Sequence, residues 1–86
     1  MHYYDVLLSA CWVEGGDDSW YFVNTVKART PSAAREEAKR KLRSFFKKQG
    51  RTLLYVNHHG TGAAGTYSNF VGKRVGQFID EAFAKR

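Results

Sequence analysis

Gly60, Thr61, Gly62, Ala63, Ala64 and Gly65 spell GxGxxG, with a strand-like run before them and a helix-like run after. In a dinucleotide-binding turn such glycines let the backbone approach a pyrophosphate that lies on the next helix N-terminus. That turn belongs to a βαβ unit, with another parallel strand and an acidic ribose-binding residue about 20 positions on. Here the sequence continues for about one helix beyond the loop, and Asp80 and Glu81 fall inside that helix. The motif therefore predicts neither NAD nor FAD. A P-loop is excluded because Thr66 and Tyr67 stand where lysine and a serine or threonine are required. The inner Gly62 to Gly65 also matches the GxxG clamp of KH domains, but it follows a strand and carries no basic residue. What survives is an anion-binding expectation. A loop at Gly60, Gly62 and Gly65 can present N–H groups to an anion, with Lys73 and Arg74 in the turns that follow.

Other reactive side chains form no constellation. His58 and His59 are adjacent on a strand, so they point to opposite faces and cannot easily share one metal ion. Cys11, the single cysteine, lies mid-strand without an identifiable base, and the acidic residues form no general acid/base pair. The sequence thus predicts no metal, no cofactor and no enzyme. A single cysteine also precludes an intrachain disulfide, which favours a reducing compartment for so small a domain. Met1 to Asp5 lack a basic leader region and no apolar run approaches membrane length, so the expected location is the cytoplasm and no membrane partner is expected.

The sharper signal is cationic. Fourteen Lys and Arg stand against eight Asp and Glu, a net charge of +6, which favours polyanions or acidic proteins. Arg35, Lys39, Arg43 and Lys47 recur every fourth residue and form one helical ridge. Arg40, Lys41 and Lys48 widen it, while Glu36 and Glu37 can pair with Arg40 and Lys41. Like charges on successive turns repel by a few tenths of a kcal/mol per pair, a cost that a phosphate or carboxylate partner would remove.

These residues need elements to hold them. Residues 2 to 14 alternate, with Tyr4, Val6, Leu8, Ala10 and Trp12 on one side, and so predict a strand. Gly15 to Ser19 supply a turn and residues 20 to 29 alternate again, which gives an antiparallel hairpin. Thr30 and Pro31 mark the start of a helix that runs to Lys48 and stops at Gly50. Ala34, Ala38, Leu42 and Phe45 form its expected buried stripe. Arg51 to His58 read as a third strand, and Gly60 to Ser68 as a flexible connection. From Asn69, capped by Ser68, a last helix carries Val71, Val75, Phe78, Ile79, Ala82 and Phe83. The whole, residues 1–86, reads as one compact α+β domain in β-β-α-β-α order, with a small antiparallel sheet in a single layer and helices packed on it.

The second face of that sheet would carry Tyr3, Leu7, Val13, Tyr21 and Val23, beside Lys27 and Arg29. Apolar and aromatic residues there imply a covered face: the last helix, a homodimer, another protein, or bases stacked on Tyr3 and Tyr21. The functional expectation is a small basic binding protein, non-enzymatic, that contacts nucleic acid through Arg35, Lys39, Arg40, Arg43 and Lys47. Lys27, Arg29, Lys73 and Arg74 would assist. The alternative is a protein-interaction module, such as an inhibitor or regulatory subunit of the kind phages and other mobile elements encode. It would meet an acidic protein surface through the ridge and the open sheet face, or pair with itself there.

Overall fold

Alternating apolar residues draw the N-terminal third of the chain into two long strands. A computed structural model, which describes residues 1–75, places them as β1 (His2–Trp12) and β2 (Trp20–Ala28). They pair antiparallel, with Tyr4 opposite Val26 and Leu8 opposite Phe22. Their connection starts with a 3-10 turn at Val13–Gly15 and continues through Gly16, whose φ of 79° suits a residue without Cβ. The Glu14 carboxylate of this turn accepts the Thr52 N–H through both oxygens at 3.0 Å. That bond holds its pKa below the ordinary carboxylate value.

Helix α1 (Pro31–Lys48) follows, with Thr30 Oγ1 accepting the Ala33 N–H at 3.1 Å and proline in the first turn. Gly50, at φ 69°, turns the chain away from its end. The chain then returns as β3 (Leu53–Ala63), antiparallel to β1 on the side away from β2. The strand order is therefore β2-β1-β3, with β1 in the centre. No helix among the described residues is long and apolar enough to cross a membrane.

The core lies between α1 and one face of the sheet. Val6, Leu8, Ala10, Val26 and Ala28 meet Ala34, Ala38, Leu42 and Phe46, all buried. Ala34 and Ala38 let the helix lie close enough for Asn24 Nδ2 to donate to the Ala38 carbonyl at 3.3 Å. At the wider end Phe46 fills the gap, its ring centroid 4.9 Å from Trp12 and 5.6 Å from Phe22. Burial of such a side chain contributes about 1.5–3 kcal/mol. The expected stripe needs one correction here: Phe46 is buried, and Phe45 remains 48% exposed. A strict four-residue step from Ala34 leads to Phe46, the ring that lands between Trp12 and Phe22.

The glycine-rich segment is also corrected. It is not a loose connection, because β3 continues through Gly60 and Gly62 to Ala63, opposite Leu7, Asp5 and Tyr4. The register slips at Leu7/Leu8, where His59 is the extra residue, and again at Cys11/Trp12, where Leu54 is. After Ala63 comes a tight turn in which Gly65 has φ 93°. Ser68 does not cap a helix that starts at Asn69. It opens a short 3-10 turn (Ser68–Phe70), followed by extended backbone at Val71. Arg74 then bridges to Trp20 along the outer side of β2, with Tyr21 N–H donating to the Lys73 carbonyl at 2.9 Å. The expected helical positions Phe78, Ile79, Ala82 and Phe83 lie outside the described residues.

This returning segment covers the middle of the second sheet face, which the sequence left open to several occupants. The Tyr67 ring lies against Gly60, and Phe70 meets Tyr21 edge-on with ring centroids 5.0 Å apart. Leu7, Ser9 and Cys11 on that face are buried. His59 Nε2 lies 2.7 Å from Ser9 Oγ, and its ring packs against Tyr21.

Candidate nucleic-acid interface

Asp5 decides the fate of the glycine loop. Its carboxylate is 4% exposed and accepts Thr25 Oγ1–H at 2.7 Å and the Gly65 N–H at 2.6 Å. The Gly65 amide expected to receive an external anion is thus satisfied by the chain's own carboxylate. Gly60 and Gly62 lie within β3, and side chains cover both: Tyr67 over Gly60 and Thr66 over Gly62. The expected anion loop is therefore an internal tie between the central strand of the sheet and the turn after β3. Lys73 and Arg74 do not flank it. They lie along β2, where Arg74 Nη1 is 3.8 Å from Asp18 Oδ1.

The expected cationic residues do not form one surface. Lys27 is on the sheet face away from α1, its Nζ 5.6 Å from the Tyr3 ring centroid. Arg29 sits beyond the end of β2, beside Ala33, Glu37 and Lys41. Arg40 is held by Glu37 in a two-point ion pair, which raises the pKa of the arginine and lowers that of the carboxylate. Of the expected interface aromatics, Tyr3 is 60% exposed, whereas Tyr21 and Val23 are half-buried.

Arg35, Lys39, Arg43 and Lys47 do share a location. The row adjoins the buried stripe one residue along, on the side of α1 that faces β3. Arg35 lines a small cleft with His58 and Thr61, while Arg43 and Lys47 line a larger one with Arg51, Leu53, Leu54 and Val56. Helix and strand thus run in opposite directions with the cations between them, over roughly 18 Å from Arg35 to Lys47 at 1.5 Å per residue. Arg35 and Lys39 are half-buried, and Arg43 and Lys47 are exposed. Arg35 Nε is 3.2 Å from Glu36 Oε1. Among the described residues, no carboxylate lies within ion-pair distance of Lys39, Arg43 or Lys47.

His58 feels both the burial and the positive charge of this trough. Partial burial, and then the nearby Arg35 guanidinium, hold its pKa below the ordinary histidine value, and Lys39 adds to the effect. Its Nε2 lies 2.8 Å from Thr61 Oγ1. His59 points to the other face, so the two imidazoles are separated by the sheet. Among the described residues, no three His, Cys, Asp or Glu side chains gather as a metal site.

The larger cleft, about 450 Å³, has a half-exposed apolar floor and a rim of Arg43, Lys47 and Arg51. Leu54 and Tyr55 beside it are 57% and 44% exposed. Sequence reasoning did not find Arg51, Leu54 or His58 as members of this surface. Leu54 reads only as part of the third strand, and the register slip that leaves it unpaired beside β1 has no local signal. No family model, curated protein or solved structure matches this chain.

Proposed function

We propose that this protein is a small non-enzymatic nucleic-acid-binding protein, accessory or regulatory in role, that contacts phosphates through Arg35, Lys39, Arg43 and Lys47. The observation that carries the reading is the row itself, in which Lys39, Arg43 and Lys47 have no carboxylate partner among the described residues. The three successive pairs of like charge on α1 cost roughly 1 kcal/mol together, and bound phosphates relieve that repulsion. Lysine and arginine heads at each helical step of about 6 Å suit a regularly charged polymer. Arg40 is left out of the primary contact because Glu37 holds it at two points, whereas Glu36 meets Arg35 through Nε alone. Lys27, Arg29, Lys73 and Arg74 belong to other surfaces.

The test is an electrophoretic mobility shift with mixed DNA and RNA at two salt concentrations. Binding is expected to weaken by orders of magnitude as salt rises. Charge reversal at Arg35, Lys39 and Arg43 together should abolish it. No shift at low salt would end the reading, and a shift that survives the triple reversal would move it to another surface.

A second reading, an interaction module for an acidic protein, is favoured by the outer edge of β3. β3 is an edge strand of 11 residues, beside exposed Leu54 and Tyr55. A partner retained through that edge in a pull-down, and released by the same charge reversals, would support it.

A further inference from the structure

We propose that the trough between α1 and β3 takes single-stranded nucleic acid in preference to duplex, with phosphates along the cationic row and bases against the apolar floor. The inference rests on the nucleic-acid reading above and specifies the form of the polymer.

The first argument is where the row points. A helix that reads a duplex enters the major groove, about 12 Å wide, with its outermost face. The outer face of the first half of α1 carries Glu36, Glu37 and Arg40 instead, two carboxylates and an arginine already paired with one of them. Phosphates of a duplex pressed on that face would meet like charge. Arg35 and Lys39 are half-buried against the sheet, so their heads serve a polymer that lies beside the helix, along β3.

The second argument is what lies next to the charges. Phosphate contacts alone need no apolar surface, yet the cleft behind Arg43 and Lys47 is floored by half-buried Leu53 and Val56, with Leu54 exposed at its edge. In a duplex the bases are stacked and paired, and their faces are unavailable to such a floor. In a single strand each base has a free face, and proteins that bind single strands combine a basic groove with apolar or aromatic platforms. The cleft volume of about 450 Å³ falls in the range that holds small organic ligands. Arg51 lines the same cleft, its guanidinium 5.8 Å from the Trp12 ring centroid, and adds a fifth cation to the proposed phosphate path.

The charge count sets the expected salt dependence. With Arg35, Lys39, Arg43, Lys47 and Arg51 all engaged, log K falls against log salt with a slope of about −3.5 for a single strand, at roughly −0.7 per phosphate neutralised.

The experiment measures fluorescence anisotropy of an oligothymidylate of about twelve nucleotides and of a duplex of equal length, at several salt concentrations. The expected result is at least tenfold tighter binding of the single strand. The slope should fall to about −2 in the Arg43→Glu, Lys47→Glu double variant, since two contacts are lost. Leu54→Ser, at an exposed position, should weaken single-strand binding at least threefold and leave any duplex binding unchanged. Equal affinity for both forms overturns this inference while the nucleic-acid reading stands. Binding of neither form overturns both. Single-strand preference that is indifferent to Leu54→Ser and to the double variant overturns the assignment to this trough. Displacement of the oligonucleotide by polyglutamate of equal length as readily as by unlabelled oligothymidylate also overturns it, in favour of an acidic peptide ligand. In a parallel NMR titration, oligonucleotide in the trough should raise the His58 midpoint, and an unmoved midpoint counts against the proposal.

Discussion

Asp5→Ala should destabilise this protein more than almost any other loss of a polar side chain from the sheet. The carboxylate is 4% exposed and joins three parts of the chain: β1 itself, Thr25 of β2, and Gly65 in the turn after β3. A hydrogen bond to a charged acceptor contributes roughly 1.5–3 kcal/mol, so the two together set an upper range of about 3–6 kcal/mol. Thr25 and Gly65 are both exposed, and water can serve their donors after the substitution. The net loss is therefore placed at about 2–4 kcal/mol. For a domain of this size each kcal/mol lowers Tm by roughly 4–8 °C, which gives a fall of about 10–30 °C. Asp5→Asn is the informative companion. Its amide oxygen can accept from Gly65 while its NH₂ donates to the Thr25 hydroxyl, which turns to accept, so the loss should be about 1 kcal/mol. The assay is thermal unfolding by circular dichroism, together with amide exchange at Gly65, slow in the parent and fast in the alanine variant. A Tm for Asp5→Ala within two degrees or so of the parent would refute the reasoning, and so would an asparagine variant as unstable as the alanine one.

Three further outcomes are expected. Phe46→Ala should cost about 3–5 kcal/mol and Phe45→Ala under about 1 kcal/mol, measured by urea denaturation, because only Phe46 is buried. His58 should titrate by NMR below the ordinary value of about 6.5, and Arg35→Gln or Lys39→Gln should raise its midpoint. Because the folded-state pKa is depressed, the unfolded chain binds the proton more readily. The His58 contribution to stability is thus complete above about pH 6.5 and is lost as pH falls through the lower folded value. Gly60→Val should expel the Tyr67 ring, since a Cβ at that position runs into the Tyr67 hydroxyl; a changed near-ultraviolet spectrum with the helix signal retained is the expected reading.

The hairpin and α1 were legible because their signals are local. Period-two alternation over β1 and β2, and Thr30-Pro31 before an amphipathic run, specify geometry within a few residues of themselves. Helical spacing alone admits either Phe45 or Phe46 after Leu42, and only the rings of Trp12 and Phe22 across the core choose between them. Gly60 and Gly62 suggested a loop because glycine favours no regular element, whereas here their missing side chains make room for Tyr67 and Thr66 over a paired strand. The Asp5–Gly65 bond spans 60 positions and leaves no periodic trace. The cationic row was readable for the same reason as the helix, since four-residue steps are a local pattern. Its apolar neighbour was not, because the trough exists only where β3 passes α1.

The central place of β1 also has a consequence for how the chain acquires its structure. β2 and α1 follow β1 closely in sequence, so a hairpin with its covering helix can assemble early from nearby contacts. The other side of β1 must wait for β3, which begins at Leu53 and closes a loop of some 40 residues around the hairpin and helix. Until then β1, the most apolar strand of the sheet, presents a row of unpaired backbone groups to any other strand it meets. The late, non-local docking of β3 is therefore the step at which a newly made chain is most exposed to misassembly, and destabilising β3 should show first as lost soluble yield.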